Sequence, residues 1–325
     1  MIDLIKVFST KDDMESYIEE NFSDVYEPTH VLFYVEEEKQ NYSKEFLPNY
    51  LWFEAIEDGC TIGFYANQDM SKTPIIQYSF DTETWENFIN DNDINVPIGS
   101  KLYCRGNNDC LSENDSFSSY FSIYNGKCNV GGSIASLVNF KDNVPDWCFY
   151  ALFNGCKLNS AEELKLPFMK LGMDCYTDMF RGSTLVYAPK ELPALELKDY
   201  CYFNMFRECS DLVDAPEIKA IKVAFRSCEN MFRGCSSLES VQETLYATTL
   251  ADKCYNRMFL NCYSLSVAPE LPATVLSEYC YDNMFAGCPL EEAPELPATT
   301  LIEGCYEYMF EGCTNLNKIT INFNE

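Results

Sequence analysis

From about residue 145 onward, two nested periods organise the apolar positions. The longer is set by a Met-Phe pair, at Met179-Phe180, Met205-Phe206, Met231-Phe232, Met258-Phe259, Met284-Phe285 and Met309-Phe310, with Leu152-Phe153 as a degenerate first copy. Successive phenylalanines stand 27, 26, 26, 27, 26 and 25 residues apart. A fixed period of this size marks stacked repeats. Within a copy the period is four: Leu197, Cys201, Met205 and Cys209, with Tyr202 and Phe206 beside them. Residues at i and i+4 share a helical face, so the spacing predicts a helix of about three turns per copy. Val144, Leu171, Leu197, Val223, Leu250, Leu276 and Leu301 open these stripes. A Leu, a small residue and usually Pro follow, as in Leu212-Val213-Asp214-Ala215-Pro216, which predicts one brief strand per copy. Proline cannot donate to a ladder, so these strands are expected to be short and irregular. Leu316 to Ile321 lacks proline and is expected to be the most regular.

One such unit cannot bury its own stripe, whereas stacked neighbours make a continuous core. Each buried Leu, Met or Phe contributes roughly 1.5–3 kcal/mol. Strands stack about 4.8 Å apart and helices about 8–10 Å, which puts the strand side on the inside of a curve. The period falls in the leucine-rich-repeat window. The expected fold class is therefore α/β: a curved leucine-rich-repeat solenoid of seven repeats over 141–325. Twelve of the seventeen cysteines fall on two ladders, Cys148, Cys175, Cys201, Cys254, Cys280, Cys305 and Cys156, Cys209, Cys235, Cys262, Cys288, Cys313, with Ser227 and Ser183 filling the gaps. Positions eight apart on a helix are about 12 Å apart, too far for a disulfide. Buried free thiols are expected.

The pattern Cys-Tyr-x-x-Met-Phe-x-Gly-Cys-x-x-Leu-x-x-Ala-Pro-Glu-Leu-Pro-Ala-Thr-x-Leu, cleanest over Cys280 to Leu301, resembles the BspA-type leucine-rich repeats of gut Bacteroidetes surface proteins and of phages that infect them. The resemblance covers about 145 to 325. Cys228 stands where Tyr is usual, and Val241-Gln242 replaces Ala-Pro. Leu51 to Gly59, Arg105 to Asn108 and Gly132 to Leu137 resemble the segment that commonly precedes such repeats.

Ahead of the repeats, residues 1–48 read as strand, helix, strand: Leu4 to Phe8, a helix with Met14, Tyr17, Ile18 and Phe22 on one face, and Val31 to Val35. So small an α/β piece has a marginal core alone and suits a docking role. Residues 49–140 alternate short β-like runs with turns, Ile75 to Phe80 and Lys101 to Cys104 among them, and predict a small β-sandwich-like domain capping the solenoid.

Net charge is −28. That sign opposes nucleic acid, which needs a basic footprint, and opposes an anionic membrane surface. Met1 to Asp12 lacks a secretory pattern, and no run approaches the roughly 18 apolar residues of a spanning helix. No C-x-x-C, Cys-His cluster, G-x-S-x-G or phosphate-binding glycine motif is present, and His30 is the single histidine. Asp91-Asn92-Asp93-Ile94-Asn95 lacks the Gly and Glu of a calcium loop, Val96 and Leu102 standing there instead. No catalytic residue, cofactor or metal is assigned.

The variable positions of the expected strand face are Tyr187, Asp214, Ser240, Val267, Glu292 and Lys318. Variation within a fixed frame fits a ligand-binding surface, although ordinary solvent exposure also produces it. The resemblance implies a non-enzymatic virion protein of a phage (tail, fibre or capsid-associated) that docks through 1–140 and presents the repeats to a host protein or glycan. Homo-oligomerisation is left open. The alternatives are a bacterial cell-surface adhesin and a carbohydrate-active enzyme.

Overall fold

The computed structural model describes residues 49–319; the α/β piece expected over 1–48, His30 included, lies outside them. Where the apolar ladder predicted helices, the backbone makes none. In an α-helix each N–H reaches the carbonyl four residues back. Here Thr177, Met179, Arg181 and Ser183 donate three residues back, to Asp174, Tyr176, Asp178 and Phe180, at 3.0–3.2 Å. The N–H groups between them, of Asp174, Tyr176, Asp178, Phe180 and Gly182, leave the segment for Asp199, Cys201, Phe203, Met205 and Arg207 of the next copy, at 2.8–3.1 Å. Every fourth residue is left-handed: φ is 54° at Asp174, 56° at Asp178 and 65° at Gly182. The turn Tyr176–Met179 therefore carries a positive φ at its third residue, as type II requires, while Asp174–Thr177 has none at its centre. Overlapping turns of two kinds alternate into a ribbon.

Seven such coils stack, each marked by one phenylalanine: Phe153, Phe180, Phe206, Phe232, Phe259, Phe285 and Phe310. Their rings form one ladder with centroids 5.3, 5.2, 5.4, 5.5, 5.6 and 6.0 Å apart. Tyr176–Tyr202, Tyr255–Tyr281 and Tyr281–Tyr306 form a second ladder at 6.1, 5.9 and 5.7 Å, interrupted by Cys228. Helices pack 8–10 Å apart, so no helical array brings rings this close. The expected α/β leucine-rich-repeat solenoid is corrected accordingly: the described residues contain strands, turns and a single 3-10 segment, Ile134–Leu137. The curve inferred from wide helices on one side loses its premise, because both walls repeat at hydrogen-bonded backbone spacing.

On the second wall the coils meet in parallel bridges, Ser160 to Tyr187, Tyr187 to Asp214, Asp214 to Ser240, and Lys170 to Glu196 to Lys222. Of Leu316 to Ile321, expected to be the most regular strand, Leu316 to Ile319 carry none, and Thr320 and Ile321 lie outside the described residues.

Ahead of the coils, β1 (Leu51–Ala55), β2 (Thr61–Tyr65), β3 (Ile76–Ser79), β4 (Glu86–Asn87), β5 (Ile94–Asn95), β6 (Lys101–Gly106), β7 (Tyr120–Ser122) and β8 (Cys128–Ser133) form two sheets. One has the order β4-β3-β6-β1-β8, continued by β9 (Glu163–Lys165), and the other β5-β2-β7. Phe53 of β1 and Phe64 of β2 each lie 5.0 Å from Phe121 of β7. Phe121 in turn stacks on Phe153 at 5.7 Å, so one aromatic column runs from the sheets into the coils. Strand β9, from the first coil, pairs in parallel with β8, whereas β10 (Glu191–Leu192) and β11 (Glu217–Ile218) pair with each other. Leu111 and Phe121 donate N–H to the carbonyls of Cys148 and Leu152, taking up acceptors that the first coil would otherwise leave open. Within the sheet, Gly131 of β8 lies opposite Trp52 of β1, and a Cβ there would stand 2.1 Å from the Trp52 ring.

All seventeen cysteines are unbridged. The helix-length reason given for that does not hold, since there is no helix. In its place, one thiol row donates to the phenylalanine carbonyls of the preceding coil: Cys209 to Phe180 at 2.9 Å, Cys235 to Phe206 at 3.0 Å, Cys262 to Phe232 at 3.2 Å and Cys288 to Phe259 at 3.1 Å. Burial pushes the Cys156 and Cys209 thiols up to about 12, which keeps them protonated as donors.

Far-UV circular dichroism is expected to lack the double minimum of α-helix; a strongly helical spectrum would contradict the turn ribbon. Phe232→Ala, in mid-ladder, is expected to cost about 3–5 kcal/mol of unfolding free energy in urea titrations.

Candidate functional site

The six residues singled out on the strand side are all exposed. Tyr187, Asp214 and Ser240 stand on successive parallel bridges, and the Ser240 hydroxyl donates to the Asp214 carboxylate. Val267, 71 % exposed, takes part in no bridge. Glu292 and Lys318 flank a looser rung, in which the Ala293 N–H reaches the Lys318 carbonyl at 3.3 Å. Three of the six are therefore brought into one row and three are not. The candidate calcium stretch is a tight turn, with Ile89 bridged to Asn92, leading into β5.

The turn wall, which the helical reading passed over, carries the denser chemistry. In each ribbon the ladder positions and the ring positions point inward. The remaining half point outward, and the left-handed residues are among them. Glycine, Asn and Asp tolerate a positive φ best. Asp174, Asp178, Asn204, Asn230, Asn283 and six glycines from Gly155 to Gly312 meet that demand. Five of the six arginines in the chain, Arg181, Arg207, Arg226, Arg233 and Arg257, also lie on these segments.

Two polar clusters result. In the first, Asp174 and Asp178 are 5 % and 7 % exposed. Thr177 Oγ1 lies 3.0 Å from Asp174 Oδ1. Burial pushes the Asp174 carboxyl up to about 6, against the hydrogen bond from Thr177. Asp178 is also raised by burial, although Arg181 stands 3.6 Å away.

The second cluster spans the fourth to seventh coils around a cavity of about 310 Å³. Arg226 Nε stands 3.3 Å from Glu229 Oε2. The two are not aligned as a hydrogen bond, so both atoms are buried with that bond unmade. Asn256 Nδ2 donates to Asp282 Oδ2 at 2.8 Å, and Arg257 Nη2 lies 3.9 Å from the same oxygen. The amide oxygens of Asn230 and Asn256 are buried without partners. Burial raises the Glu229 carboxyl, while Arg226, Lys253 and Arg257 pull it down. The arrangement offers fixed hydrogen-bond donors and acceptors side by side. Among the described residues no group of three or more His, Cys, Asp or Glu side chains is gathered for a metal ion, and no helix is long and apolar enough to cross a membrane.

The signal for this wall was present in the sequence: the residue between successive ladder positions, mostly polar, changes from copy to copy, through Thr177, Phe203, Glu229, Asn256, Asp282 and Glu307. No family model matches the chain, and no curated protein or solved structure matches it.

A carboxyl held near 6 in the fold and near 3.8 otherwise takes up protons on folding between those values. Stability therefore falls as pH rises through that window. Asp174→Asn keeps the acceptor for Thr177 and removes the charge. The variant is expected to gain roughly 1–3 kcal/mol at neutral pH and to lose the slope between about pH 4 and 6 in urea titrations.

Proposed function

We propose that this chain is a non-enzymatic recognition protein: a tail, fibre or capsid-associated part of a phage virion that presents its stacked coils to a host protein or glycan. The observation that carries this reading is the division of labour along the stack. Inward positions keep Cys, Met, Phe and Tyr from coil to coil, while outward positions on both walls change, which builds a constant frame under a variable surface. Rigid frames with variable exposed positions are how repeat proteins make extended binding surfaces.

Two further features support the setting. The repeats resemble those of Bacteroidetes surface proteins and their phages. Seventeen unbridged thiols suit a protein assembled in a reducing cytoplasm better than one exported through an oxidising compartment, which favours the virion over a bacterial cell-surface adhesin.

Labelled full-length protein is expected to bind saturably to intact cells of at least one strain in a Bacteroidetes panel, without releasing soluble sugar. Binding to none of the strains would count against recognition. Release of reducing sugar would replace it with carbohydrate-active chemistry.

A further inference from the structure

The cavity on the turn wall has three properties that together specify an occupant. The first is backbone strain. Arg226, Lys253, Arg257, Tyr279 and Tyr308 all line it, and all five sit at positive φ, between 49° and 57°. Elsewhere the same two places hold Asp174, Asp178, Asn204, Asn230, Asn283, Gly304 and Ala151, with Trp147 and Tyr200 as the large residues outside the cavity. Large side chains in the left-handed region carry a cost, and such strain clusters at functional sites. Here five strained positions converge on one concavity.

The second property is unmet polarity. Glu229 and Asn256 are 6 % and 4 % exposed and line the cavity. Asn256 Oδ1 lacks a hydrogen-bond partner, and Arg226 Nε and Glu229 Oε2, 3.3 Å apart, face each other as an ion pair without a hydrogen bond. Buried polar groups are rarely left so, because an unmade bond costs about 1–3 kcal/mol.

The third property is balance of charge. Arg226, Lys253 and Arg257 face Glu229, Asp282 and Glu307 around the same space, three cations against three anions, in a chain whose net charge is −28. An anionic ligand meets the carboxylates and a cationic one the guanidinium groups, so neither gains from the set as a whole. A neutral ligand rich in hydroxyls uses both, donating to the carboxylates and accepting from the cations. At the edge, Tyr308 is 58 % exposed, which leaves its phenol available to an apolar ring surface, whereas Tyr279 is engaged by Lys253 over its ring and Glu303 at its hydroxyl. Roughly 300 Å³ is the lower end of the range for small-molecule sites.

The geometry points to this cavity as the binding site for a neutral pyranose unit of a glycan, held by Glu229, Asn256, Asp282 and the three cations and covered by Tyr308. The inference rests on the recognition reading above and narrows its ligand class to neutral sugar.

Isothermal titration of the full chain with maltohexaose, mannohexaose, cellohexaose and galactohexaose, and with an oligogalacturonate as the acidic probe, tests it. At least one neutral hexaose is expected to bind. Tyr308→Ala, a change at an exposed side chain, is expected to weaken that binding by about three- to tenfold, and Glu229→Gln to weaken it as well. Circular dichroism shows whether each variant remains folded. The site assignment is overturned if only the oligogalacturonate binds, if no probe binds, or if neither variant alters a neutral sugar's affinity. Cell binding that persists while the sugars fail, and that is abolished by protease treatment of the cells, removes this inference and leaves the recognition reading standing. Failure of both removes the two together.

Discussion

Half of the N–H groups in each turn ribbon have no acceptor inside their own coil. A turn that closes three residues back uses every second donor, and the donors between point out along the stack. Buried donors must be paired, so each coil needs a neighbour at backbone hydrogen-bonding distance, in parallel register and one repeat away. The remainder of the structure follows from that spacing. It places Phe on Phe at 5.2–6.0 Å and sets each Cys209-type thiol beside the preceding coil's Phe carbonyl. It also makes the sheet domain a suitable neighbour for the first coil, because Leu111 and Phe121 present N–H groups to open carbonyls. The backbone bonds between turn ribbons all run one way, from each coil to the carbonyls of the next, while the thiol row donates in the opposite direction.

The same bond pattern governs the surface. Alternating turn types require a left-handed residue at every fourth position, and that residue faces outward. Where Gly, Asn or Asp occupies it, the wall is cheap to form. Where Arg, Lys or Tyr occupies it, backbone strain is accepted and a long side chain is planted on a rigid base. Coils four to seven concentrate such places, and polar groups between them are buried by the closeness of adjacent coils. Glu229, Asn256 and Asp282 belong to three successive coils, yet the stack brings them to one cavity. Their chemistry differs from that of the strand side, where Tyr187, Asp214 and Ser240 form an open row.

The array, the number of repeats and the inward residues were determined by the sequence. The Met-Phe period counts the coils, and the side chains on the four-residue ladder are those that the structure buries, save at Val223 and in the last coil, where Leu301 is exposed and Cys313 half-buried. The local conformation of the ladder was not settled by the shared i, i+4 spacing, since a helix and a four-residue turn ribbon both satisfy it. One distinction was legible. A helical stripe drifts by about 40° at each step of four and soon needs a step of three, but Leu197, Cys201, Met205 and Cys209 take no such step. Gly, Asn and Asp recurring at every fourth position, as at Asp174, Asp178 and Gly182, added the same message, because these residues are poor in helix interiors and good at positive φ. Only the tertiary structure decided the rest. Hydrogen bonds between residues some 26 positions apart are invisible to local propensity, and they alone choose turn over helix. They also decide which outward side chains, scattered along the chain, become neighbours around a common space.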